Sequence, residues 1–220
     1  MTETNRTSSA SGGGADRTAA VTVVRQNTTA AWIGKTVFIA LFAALFIAFS
    51  YVSIPLGFTS VPITLQTLAV MLAGGLLGAR LGFSSIALVV LLAAAGLPLL
   101  HGRGGLSTVF GPTGGFIWMF PFQALFIGMT ADRLFRKGRK ATTRTYAILI
   151  FSVVLFGVAL AYVGGVPWYA HKAHTSLHAA LIGACYPFLP GDLIKAAAAV
   201  VIIAALRPAL YGTLKRLSGR

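Results

Sequence analysis

Residues 36–79 read TVFIALFAALFIAFSYVSIPLGFTSVPITLQTLAVMLAGGLLGA, and not one of them is charged. A proline/glycine turn, IPLGFTSVP, divides the run near its middle. A bilayer core is crossed by about 20 apolar residues in a helix, and ~17 suffice. The run therefore predicts two spans, Val37–Ile54 and Pro62–Gly78. Working outward, Arg80 sits on a short turn before a third span, Leu81–Leu99. A Gly-rich connection from His101 to Gly115 leads to a fourth, Gly115–Ala131, which ends in the basic cluster DRLFRKGRK. The fifth is Thr145–Val166 and the sixth Pro190–Leu206, ending at Arg207–Pro208. Ser176–Leu189 is apolar but too short to cross, and is expected to form a re-entrant or membrane-surface helix. The fold class is an all-α membrane protein of six transmembrane helices, with both termini on one side.

The rest of the composition agrees. Apolar types make up 56% of the 220 residues and charged types 10%, against roughly 25% charged in an ordinary globular protein. A formal charge of +14 raises nucleic-acid binding first, but that needs basic residues clustered on a polar face. With the N-terminus inside, fifteen of the eighteen Lys and Arg fall on inner segments. Only Arg103 and Lys172 lie outside, and Lys195 lies within a span. That is a positive-inside signal: the net charge labels the cytoplasmic face, and nucleic acid is excluded as the main partner.

Three regions follow. Residues 1–34 are rich in Ser, Thr, Gly and Ala and bury too little apolar surface to offset their ordering entropy, so a flexible cytoplasmic tail is expected. They are not a secretory signal, since the polar stretch is too long and no cleavage pattern follows. Residues 35–208 form the membrane domain, and 209–220 a basic cytoplasmic tail.

An ionised side chain in hydrocarbon costs ~2.5–3.5 kcal/mol on insertion scales, so the start of span six, YPFLPGDLIKAAAA, is informative. Pro190 suits the first helical turn, and Asp192 lies where the helix dipole favours a negative charge. Lys195, three residues on, shares its face. The pair either staples the helix start or faces the bundle interior as part of a binding site. The outer loop HGRGGLSTVFGPTGGF is longer than a bare connection needs, and its glycines allow a ligand to approach the backbone closely. Arg103 there is either an interface anchor or a counter-charge for an anionic substrate. Gln66 is the one amide in an apolar span, with Thr64 and Thr67 beside it, suited to an interhelical hydrogen bond or to a pocket.

Other features carry less. His171, His174 and His178 are spaced to share a helical face, but no Cys or carboxylate lies near them, and solvated histidines are the expectation. Cys185 has no partner and reads as a small buried hydrophobe. Ala40, Ala44 and Ala48, four apart on span one, suit close helix packing within the chain or against another subunit. Catalysis finds no support. Ser84–Ser85 sits in GFSSI rather than a serine-protease motif, and there is no HExxH helix, no acidic metal cluster and no Walker A loop. No metal or resident cofactor is expected.

VPITLQTLAVMLAGGLLGARLG, the loop ending GPTGG (Gly111–Gly115) and YPFLPGDLIKAAAA together resemble the BioY family. These are biotin-binding membrane subunits, the S components of prokaryotic energy-coupling factor (ECF) transporters. The resemblance runs from about Val37 to Leu206 and leaves out the polar N-terminal tail. It implies the six-helix S-component fold with cytoplasmic termini, a multi-pass place in the plasma membrane, and biotin capture from outside. It implies transport with a separate transmembrane subunit and paired ATPases, with Ala40, Ala44 and Ala48 offered to that partner.

Biotin presents two ureido N–H donors, an acceptor oxygen, an apolar thiophane and a carboxylate tail. The expected roles are Asp192 as acceptor for the N–H groups and either Lys195 or Arg103 for the carboxylate. Gln66 and the backbone of Gly111, Thr113, Gly114 and Gly115 would complete the ureido contacts, and Phe116, Trp118 and Tyr186 would supply walls. An S component for thiamine or riboflavin shares fold and partners. A membrane enzyme or a ligand-free scaffold is the more distant alternative.

Overall fold

The computed structural model describes residues 12–136 and 141–218. Nine helices and a two-stranded hairpin are found there. Four helical stretches are long and apolar enough to cross a membrane: Ala31–Tyr51, Gly114–Leu134, Thr143–Lys172 and Leu189–Thr213. Two shorter apolar helices, Gln66–Leu77 and Ala79–Ala94, fall where the second and third spans are expected.

Helix α1 covers Gly12–Tyr51. Its backbone is helical through residues 12–34, where the sequence predicts a flexible tail; residues 1–11 lie outside the described chain. No proline interrupts this stretch, so a helix nucleated in the apolar segment extends by one backbone bond per residue. One face of α1 packs inward through Phe42, Ala43, Phe46 and Ser50, while Val37, Ala40, Leu41, Ala44 and Ala48 are exposed.

Strands β1 (Ser53–Ile54) and β2 (Ile63–Thr64) pair antiparallel across the proline/glycine turn. The second helix accordingly begins at Gln66, not at Pro62. Helix α2 (Gln66–Leu72) runs into a π-helical stretch, Ala73–Leu77, and Gly78 at φ 88° turns the chain into α3 (Ala79–Ala94). Arg80 is therefore the second residue of α3, and exposed.

The outer loop carries a single turn, α4 (Leu106–Val109), and leads to α5 (Gly114–Leu134). Helices α6 (Thr143–Ser152) and α7 (Leu160–Lys172) form one continuous rod through a π-helical stretch, Val153–Ala159. The short α8 (Leu177–Ala184) precedes α9 (Leu189–Ser218). The expected stop at Arg207–Pro208 is corrected, for α9 continues through Pro208. Its backbone is tied down just before the proline by Arg207, which donates to the Leu76 carbonyl and pairs with Asp132. Of the predicted cytoplasmic charges, Arg6, Lys137, Arg139, Lys140 and Arg220 lie outside the described residues.

Helix α5 is central, packing on α3, α7 and the π-helical end of α2. It approaches that end closely because Gly74 lies against Ala124: a Cβ on Gly74 would sit 2.3 Å from the Ala124 carbonyl oxygen. Small residues allow such approach where apolar burial alone gives no drive between helices in lipid. Backbone cannot move aside as a flexible side chain can, so Gly74→Ala is expected to cost about 1–3 kcal/mol. A drop in thermal unfolding temperature in detergent checks this, and an unchanged value would remove the contact from the account.

Candidate functional site

A cavity lies between β2, α2, the outer loop, α5, α7 and α9. Pro62 and the β2 pairing keep the chain extended ahead of α2. The Thr64 carbonyl is thereby left outside the helical ladder, where the Lys195 ammonium donates to it at 2.8 Å. Lys195 also donates to Thr67 Oγ1 at 3.1 Å and lies 2.6 Å from Asp192 Oδ1, so all three of its N–H groups have partners.

Asp192 is 7% exposed. It accepts from Thr67 Oγ1 at 3.3 Å, and its second oxygen accepts from the Tyr162 hydroxyl. The i,i+3 pair is thus tied to α2 and α7, and not merely to its own helix. A buried ion pair is tolerated only where such bonds replace lost hydration.

Gln66, 4% exposed, also lines the cavity, and its Nε2 is buried with no hydrogen-bond partner among the described residues. Thr113, Phe116, Ile117, Phe120 and Phe188 add the apolar wall. The ring of Phe116 meets that of Tyr162 edge to face, with centroids 6.1 Å apart. His101 enters from the outer loop, held at φ 53° with its backbone N–H donating to Ser50 Oγ at 3.3 Å. Burial pushes its imidazole below the ordinary value of 6.5; the Ser50 backbone opposes this and the Arg103 charge adds to it. The ring is therefore neutral at pH 7.

Of the expected residues, Asp192, Lys195, Gln66, Thr113 and Phe116 come together here. The others do not line the cavity. Tyr186 is 54% exposed, and Arg103 is exposed on the loop, its backbone paired with Leu100. Trp118 donates its indole N–H to the Val109 carbonyl at 3.0 Å.

The glycines of GPTGG pack closely against neighbouring elements, while Thr113 between them lines the cavity. Gly111 accepts from the Trp168 indole at 2.8 Å, and a Cβ on Gly114 would lie 2.3 Å from the Val109 oxygen. On Gly115 it would lie 2.4 Å from Trp168 Cβ. They let α5 start flush against α7.

Sequence reading passed over Tyr162 and left His101 unweighed. Tyr162 carried one signal, a hydroxyl well inside an apolar span, which it shares with Ser152. The three outer histidines do not share a helix: His171 ends α7, His174 sits in the turn at φ 50°, and His178 is in α8. No metal-binding group of three or more His, Cys, Asp or Glu occurs among the described residues. Cys185 is buried, as expected.

An apolar helical bundle around a closed-in ion pair, with two unsatisfied polar groups at the cavity wall, defines a multi-pass membrane protein built to bind a small polar-ended molecule. The chain belongs to the BioY family, which it matches over residues 19–212. It is 39% identical to the biotin transporter BioY of Rhizobium etli over 74% of this chain and 87% of that one. It is 41% identical to the probable biotin transporter BioY of Bacillus subtilis over 78% and 89%. Among solved structures it resembles the S-component for biotin from an ECF-type ABC transporter, at TM-score 0.72 and 34% identity, covering 80% of this chain and 91% of that one.

Proposed function

We propose that this chain is the biotin-capturing S component of an ECF transporter. It takes biotin from the outer side of the plasma membrane and passes it on with a transmembrane coupling subunit and ATPases. It is a transporter subunit and not an enzyme. The observation that carries the reading is the Asp192–Lys195–Thr67–Tyr162 cluster walling a cavity in a chain whose relatives are biotin transporters.

The chemistry matches the ligand. Asp192 offers acceptor oxygens to ureido N–H groups, while the unpartnered amide N–H of Gln66 offers a donor to the ureido oxygen. Phe116, Phe120 and Phe188 suit the thiophane ring. Lys195 is fully engaged with three acceptors, so the carboxylate tail is read as lying toward the outer loop, away from the ion pair.

Six crossings with both termini cytoplasmic fit the distribution of Lys and Arg, with α2 and α3 as the two short spans. Thermal shift of the purified protein tests the ligand. Biotin is expected to stabilise it and thiamine and riboflavin to leave it unchanged; the opposite order rejects the assignment.

The partner surface is read from α1, where Ala40, Ala44 and Ala48 are all exposed. A bulky side chain there would hold an opposing helix away. Ala44→Leu is expected to keep biotin affinity and to lose co-purification with the coupling subunit. Intact co-purification would move the docking face elsewhere.

A further inference from the structure

The rod of α6 and α7 changes its buried face partway along. Leu149, Ser152 and Val153 are buried near its start, and Ala161, Gly165 and Val166 towards its end. At about 100° per residue, an unbroken α-helix would continue the first face through Phe156, Leu160 and Val163. Val163 is instead 71% exposed. On that unbroken helix Tyr162 would stand roughly 140° round from Leu149, turned from the core. It lines the cavity instead, its hydroxyl donating to Asp192 and its ring against Phe116. The wider turns of the π-helical stretch Val153–Ala159 supply the missing rotation. Such turns are rare and poorer in geometry than α-helical ones, so something must hold them.

Helix α5 offers two polar side chains to this stretch. Thr130 Oγ1 lies 2.9 Å from the hydroxyl of Ser152, just ahead of it, which donates to it. Gln123, fully buried, donates from Nε2 to the Gly157 carbonyl in the middle of the stretch, at 3.5 Å. The other end of that amide, Oε1, is buried with no hydrogen-bond partner among the described residues. Leucine or methionine would fill the same space without an unpaired amide oxygen, which costs free energy in an apolar interior. Packing alone does not account for a glutamine here. Its donor does.

We infer that Gln123 is a positioning residue for ligand binding: its bond to Gly157 holds the π-helical stretch in the form that turns Tyr162 toward Asp192. On the biotin reading above, Tyr162 then orients the carboxylate that accepts the ureido N–H groups. Gln123 does not line the cavity and acts only through Tyr162.

The test is a double-mutant cycle on the full chain in nanodiscs, read by biotin titration and by thermal unfolding. Gln123→Met keeps the volume and removes the donor; Tyr162→Phe removes the hydroxyl that the donor serves. Tyr162→Phe is expected to bind biotin about tenfold more weakly, the effect of one hydrogen bond to a charged group. For Gln123→Met the expected loss is about three- to tenfold. The double variant is expected to match Tyr162→Phe within about twofold, because coupled residues do not add. A purely structural glutamine would lower the unfolding temperature and leave the biotin losses additive.

Parental biotin affinity in Gln123→Met, or a loss that repeats in full on the Tyr162→Phe background, would overturn the inference. If Gln123→Met does not fold, Gln123→Asn, which draws the amide back by one methylene, replaces it in the cycle under the same criteria. A parent protein that binds no biotin overturns the function reading itself, which separates the two failures.

Discussion

Asp192→Asn is expected to weaken biotin binding by about a hundredfold or more and to lower the unfolding temperature at the same time. Breaking a buried ion pair from one side costs about 3–5 kcal/mol, chiefly because the remaining charge is stranded. Here the stranded group is Lys195, held in place by Asp192, the Thr64 carbonyl and Thr67. The loss of stability and the loss of binding have different origins, and a double variant separates them. Asp192→Asn with Lys195→Met leaves no lone charge, so its stability should recover much of the way toward the parent. Its biotin affinity should not recover, because the carboxylate proposed to accept both ureido N–H groups has become an amide with one acceptor oxygen and the ammonium that orients it is gone. Isothermal titration in nanodiscs, paired with thermal unfolding, reads both quantities. A double variant that binds biotin like the parent would make the pair a helix staple and nothing more.

The second large effect is expected far from the cavity. Arg207 is 6% exposed, donates to the Leu76 carbonyl and pairs with Asp132, whose second oxygen accepts from the Ala79 backbone N–H at 3.1 Å. One ion pair thus fastens α5 and α9 to the junction between α2 and α3. Gly78 makes room for it: a Cβ there would lie 2.3 Å from Asp132 Oδ1. The two partners differ in exposure, with side chains 7% exposed for Arg207 and 45% for Asp132. Asp132→Ala therefore strands a buried guanidinium and is expected to cost ~3 kcal/mol or more. Arg207→Met leaves a carboxylate that water can reach, so about 1–2 kcal/mol is expected. Biotin affinity of the folded fraction should stay at the parental level in both, since none of these residues lines the cavity. Thermal unfolding in detergent checks the order. An Asp132→Ala protein no less stable than Arg207→Met would show that the clamp carries little.

The two cases mark how far the sequence reaches. Asp192 and Lys195 stand three apart on one helix, so their pairing was legible as a local spacing. Their position in an otherwise apolar span was the reason to read them as a site. Arg207 and Asp132 are 75 positions apart, and the sequence offered each only as a cytoplasmic charge. The loop motif GPTGG shows the same limit. Its glycines suit either ligand approach or close helix packing, and the choice depends on Trp168, which no local pattern links to it.

What the sequence by itself determined is the apolar segmentation that became helices, the gathering of basic residues outside the apolar segments, and the charged pair at the start of α9. These follow from composition and from spacings within one helix, which a linear chain displays directly. Only the tertiary structure decided that Tyr162 reaches Asp192, that Lys195 is saturated by Thr64, Thr67 and Asp192 together, and that His101 enters the cavity while Tyr186 and Arg103 do not. It also decided that Arg207 is a clamp. Each of these joins side chains on different elements, and the contact depends on how helices cross and where their glycines let them approach. Hydrophobic periodicity sets which face of a helix is buried, but it does not say which neighbour that face will meet.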